Sequence, residues 1–74
     1  MKGGPLTAEE RQIIVAVVVK LIHHGQDGSY SRPRADKRVW DLWPMLPTAE
    51  RSQVKKQLPA GAQRFARDEL RIFD

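Results

Sequence analysis

The side chains of this chain best suited to engaging a ligand are guanidinium and ammonium groups, and they fall in three clusters. Arg32, Arg34, Lys37 and Arg38 lie within seven positions, just after Tyr30. Arg51 and Lys55 are spaced i,i+4 with Lys56 alongside, so on a helix the first two share a face. Arg64, Arg67 and Arg71 recur at i, i+3 and i+7, which again selects one helical face. Planar guanidinium forks and ammonium groups in such arrays suit phosphates and carboxylates. Trp40 and Trp43, three apart, add aromatic area that can fill a small core, anchor a partner or stack on bases. The predicted contact residues are Arg32, Arg34, Lys37, Arg38, Trp43, Lys55, Lys56, Arg64, Arg67 and Arg71. A plainer outcome competes with this reading, because Asp36, Glu50, Asp68 and Glu69 are near enough in sequence to neutralise many of these cations.

Catalytic chemistry is poorly supplied. Cysteine is absent, which removes disulfides, thiolate nucleophiles and soft-metal ligation. His23 and His24 are adjacent and point about 100° apart on a helix, so they cannot chelate one ion as an i,i+4 pair does; their expected role is to meet the last carbonyls of a helix. Ser29, Ser31 and Ser52 have no histidine fixed beside them by sequence, and the glycines lack the spacing of a phosphate-binding loop. The expectation is a non-enzymatic protein with no cofactor, metal or small-molecule substrate.

Charge is unevenly placed. Residues 31–74 hold ten Lys/Arg against six Asp/Glu, whereas residues 1–30 balance three against three, so the whole formal charge of +4 lies in the C-terminal part. Such a balance favours acidic partners, either nucleic acid or an acidic protein surface. The N-terminal MKGGPLT lacks an apolar stretch, and the apolar run that follows is about half a bilayer span. A cytoplasmic protein without membrane contact is the expectation.

These groups must be positioned by helices. Seventy-four residues make one small domain, which buries only a little over half of its unfolded surface. Thr7 and Glu10 have the spacing of a capping box, and His23, His24 and Gly25 resemble a helix end, which predicts a first helix of about sixteen residues. Its centre, Ile13 to Ile22, is apolar except for Lys20, and seven of those ten residues are β-branched. Either the other helices cover that segment on all sides, or part of it stays open for a second subunit or a target protein. A flexible N-terminus over 1–6 and a loop over 25–32 are expected on either side.

Pro33 suits a first helical turn and Pro44 disfavours helix at Trp43, so a second helix spans about 33–43. Thr48 is placed to cap a third helix that carries Val54 and Leu58 and stops near Pro59. Ala60 and Gly61 then turn the chain into a fourth helix with Ala62, Phe65, Ala66, Ile72 and Phe73 on one stripe. The fold class is thus all-α, a compact bundle of three to four short helices, with a helix-turn-helix-like arrangement possible in the C-terminal half, the third helix packed across the fourth. Two functions fit: a nucleic-acid-associated protein, including one acting on the transcription machinery, or a small inhibitor or adaptor docking on an acidic protein surface. A homodimer through the first helix is compatible with both.

Overall fold

The computed structural model describes residues 6–73 and shows an all-α bundle. Four helices follow in order: α1 (Ala8–Asp27), α2 (Arg32–Leu42), α3 (Thr48–Gln57) and α4 (Ala60–Phe65). A 3₁₀ turn, Trp43–Met45, follows α2, and a π-helical segment, Ala66–Leu70, continues α4. Of the N-terminal stretch expected to be flexible, residues 1–5 lie outside the described residues; the Leu6 carbonyl accepts a hydrogen bond from Arg11 Nη1 at 2.6 Å.

The predicted capping box closes α1. Thr7 Oγ1 accepts from the Glu10 amide and Glu10 Oε1 accepts from the Thr7 amide, so two otherwise orphaned donors are satisfied. The other end corrects the sequence reading. Gly25 does not terminate the helix, which runs for 20 residues and ends at Gly28 in the left-handed conformation with φ 82°. Gly25 is buried against α2, where an added Cβ would stand 3.3 Å from that of Ala35. Its missing side chain lets two helices approach, a use that looks the same in sequence as a helix stop. The connecting loop therefore narrows from the expected 25–32 to 28–31. Asp27 fastens it by accepting from the Ser29 amide at 2.8 Å and from the Ser29 hydroxyl, and these bonds hold its carboxyl below the usual aspartate range.

Val15, Val18 and Ile22 of α1 are buried at i, i+3 and i+7, the spacing that turns one stripe inward. Val39, Leu46, Val54, Leu58, Ala62, Ala66 and Leu70 close over it. Each large side chain removed from water contributes about 1.5–3 kcal/mol. Trp43, Phe65 and Phe73 border this core half-buried, while Trp40 stays 50% exposed with its indole N–H donating to the Leu70 carbonyl at 2.9 Å. Cover of α1 is partial: Ile13, Ala16 and Val17 are left exposed on its outer side.

Prolines set the later boundaries. Pro44 does not take Trp43 out of helical geometry as expected: Trp43 keeps φ −56° and ψ −45°, its amide donates to the Val39 carbonyl, and Pro44 sits in the first turn of the 3₁₀ segment, where a missing N–H is tolerated. Thr48 does not cap α3. Pro47 occupies that position in an extended conformation, Thr48 is the first helical residue, and no side-chain cap forms. Pro59 begins α4 in the same way, so Ala60 and Gly61 are helical and do not form the expected turn. Only Leu58 and Pro59 separate α3 from α4, the brevity a helix-turn-helix has. Both helices pack mainly on α1 instead of across one another.

The chain end departs furthest from expectation. π-winding over Ala66–Leu70 adds a residue to the turn and rotates the apolar stripe, so Leu70 is buried. Arg71 then adopts φ 57° and the Ile72 amide donates to the Ala66 carbonyl at 3.2 Å. Ile72 and Phe73 thus leave the helix and fold back against α3, contrary to the predicted twelve-residue stripe.

Candidate functional site

Two of the three basic clusters meet. The face of α3 that carries Lys55 and the face of α4 that carries Arg64 border a hollow of about 230 Å³, with Arg67, Ala60, Gln63 and Phe73 completing the wall. Gln63 joins the two helices, since its amide nitrogen donates to the Lys55 carbonyl at 2.9 Å and to the Leu58 carbonyl at 3.0 Å. The Lys55 carbonyl also accepts from the Leu58 amide at 3.2 Å, so Gln63 reinforces the closing turn of α3. The hollow is thereby held by a polar clamp and not by charge alone.

Phe73 is the shared wall between this hollow and a second one of about 350 Å³, which is lined by Trp43, Thr48, Arg51, Ser52, Lys55, Ile72 and Phe73. Trp43 meets Phe73 edge-on with ring centroids 5.5 Å apart, a favoured aromatic geometry. The Arg51 guanidinium lies 5.3 Å from the Trp43 ring and Lys55 Nζ lies 5.8 Å from the Phe73 ring, distances at which the ring quadrupole attracts a cation. Trp43 thus belongs to the site as a half-buried wall. The result is one elongated groove edged by Arg51, Lys55, Arg64 and Arg67, with an aromatic floor between.

The α2 cluster goes elsewhere. Arg34, Lys37 and Arg38 line a separate groove of about 550 Å³ with Tyr30, Asp41 and Leu42, and none of these residues lines the C-terminal groove. Arg32 belongs to neither. Its guanidinium bonds both carboxylate oxygens of buried Asp36, approaches Glu69 at 3.9 Å and lies 4.8 Å from the Phe65 ring. The hydrogen bonds to Asp36 raise its pKa further, and the residue acts as a strut between α2 and α4. Lys56 and Arg71 are exposed and border none of these hollows.

Neutralisation is alike in the two grooves, with one paired cation in each among the described residues. Lys37 pairs with Asp41 at 3.2 Å and Arg67 with its neighbour Asp68 at 3.0 Å, while Glu50 turns inward to Arg11 of α1 at 3.0 Å. That inward turn leaves the cations beside it on α3 without their nearest acid. Among the described residues, no ion pair is formed by Arg34, Arg38, Lys55, Lys56 or Arg64. Exposed pairs such as Arg67 with Asp68 are weak and exchange readily for a better anion.

Sequence reasoning missed Phe73 as a wall of the site, because its spacing matched a core stripe. Arg51 is not among the predicted contacts, although its i,i+4 relation to Lys55 puts both on one face. No group of three or more histidine or carboxylate side chains suited to holding a metal ion is found among the described residues. No described helix is long and apolar enough to cross a membrane. Compared with protein-family models, with curated proteins and with solved structures, the chain matches none.

Proposed function

We propose that this protein is a non-enzymatic nucleic-acid-binding protein that holds a phosphate backbone along its C-terminal groove. The observation that carries this reading is the convergence of Lys55, Arg64 and Arg67 from two helices on one hollow walled by Phe73. Cations in a concave site reinforce one another's field and draw in polyanions, and an adjoining aromatic ring offers a surface for a base. Lys55 and Arg64 are free of ion pairs among the described residues, so a phosphate would displace none of the described carboxylates from them.

The test is fluorescence anisotropy of labelled single-stranded and duplex oligonucleotides across a salt series. Three phosphate contacts give a slope of log affinity against log salt on the order of −3. Absence of binding at about 50 mM salt, where phosphate contacts are strongest, would remove the reading.

A second reading, docking on an acidic protein surface, is favoured by Trp40. That ring is half exposed, yet its N–H is already bonded to the Leu70 carbonyl, so it is held in place before any partner arrives and loses little freedom on binding. Poly-glutamate that competes as well as an oligonucleotide, with an effect lost in Trp40→Ala, would favour this reading over the first.

A further inference from the structure

We propose that the outer face of α1 is a self-association surface on which a second copy of the chain docks antiparallel. Ile13 and Val17 are 60% and 41% exposed. Both are β-branched, a shape that lowers helix propensity, so at solvent-facing positions they weaken the helix and bury little in the isolated chain. They are also consecutive steps of one stripe. Glu9, Ile13, Val17 and Lys20 succeed one another at i,i+4 and i+3 spacing, all exposed, with Ala16 exposed beside them. The stripe is acidic at its N-terminal end, where Glu10 adjoins Glu9, apolar in the middle and basic at Lys20.

That order selects the occupant. Glu9 and Lys20 are about 16 Å apart along the helix. A two-fold axis near the level of Val15 brings Ile13 of each copy against Val17 of the other, and the carboxylates of each copy against the other's Lys20. A parallel pair would align like with like and repel. An isologous contact of this kind repeats each favourable pairing twice. A shallow hollow of about 330 Å³ adjoins the stripe, lined by Val17, Leu21, Leu42, Tyr30, His24 and Arg38. In the antiparallel register it receives the second copy's Ile13, while Arg38 adds a further cation facing the incoming carboxylates.

Sedimentation equilibrium of the full chain without nucleic acid reads this directly. A dimer with a dissociation constant on the order of 10 µM is expected for so small an interface. Ile13→Glu should weaken it at least about tenfold, and Lys20→Glu by about tenfold, with Glu9→Lys added to Lys20→Glu recovering much of the loss. Circular dichroism of each variant separates lost pairing from lost helix. A chain that remains monomeric at about 1 mM overturns the proposal, as does a dimer indifferent to Ile13→Glu. Capture of a different protein by this face while the chain stays monomeric also overturns it, in favour of a foreign partner.

Discussion

Lys55, Arg64 and Arg67 stand around Phe73 with, among the described residues, Asp68 as the one acidic neighbour in an ion pair, whereas Arg34, Lys37 and Arg38 share their groove with Asp41, and Arg38 also adjoins Val17 and Leu21 of α1. Both grooves draw on the same residue types. What separates them is the tertiary company: an aromatic floor and a Gln63 clamp on one side, an apolar helix face on the other. Cation count alone therefore does not identify a polyanion site. The two proposals accordingly use different grooves, the C-terminal one for nucleic acid and the α2 one as the margin of a self-association surface.

The largest expected effect comes from reversing the charges. Arg64→Glu with Arg67→Glu should lower oligonucleotide affinity about a hundredfold, and Arg34→Glu with Arg38→Glu less than about threefold, when measured by anisotropy below the concentration of self-association. Equal losses from the two double variants would erase the distinction between the grooves. Phe73→Ala should cost about tenfold for single strands, as removal of a stacking platform does, and less for duplex. Because Phe73 also packs on Trp43, the unfolding midpoint is to be followed in the same variant.

A smaller change is expected at Asp68. Asp68→Asn releases Arg67 from its exposed ion pair and should raise affinity about twofold, since such pairs are worth little. The smallest effect belongs to Arg71, which borders neither groove. Arg71→Gly relieves a left-handed conformation that costs a side-chain-bearing residue about 1 kcal/mol. It should therefore raise the unfolding midpoint slightly and leave affinity within about twofold. A marked loss of binding in Arg71→Gly would extend the site to the chain end.

How much of this was readable in the sequence depends on whether a signal was local. The Thr7 and Glu10 capping box and the shared faces of Arg51 with Lys55 and of Arg64 with Arg67 rest on neighbours within one turn, and all are present. Gly25 was misread because a glycine that ends a helix and one that admits a second helix differ only in a contact with Ala35, ten positions away. The chain end was misread because π-winding changes the helical phase and arginine rarely takes positive φ. Those two departures carry Phe73 out of its expected core stripe and into the wall of the groove. The fate of the α2 cluster was likewise set at a distance, by Glu69 and Phe65 drawing on Arg32 and by α1 bordering Arg38.

Both indoles of the molecule touch the same short stretch of chain: Trp40 through the Leu70 carbonyl and Trp43 through the Phe73 ring. Their intrinsic emission is therefore a built-in optical gauge of whether the tail is seated. Titration with a ligand that slots beside Phe73 can be followed without any dye, through Trp43 quenching or a spectral shift. Detachment of the tail would register in both chromophores together.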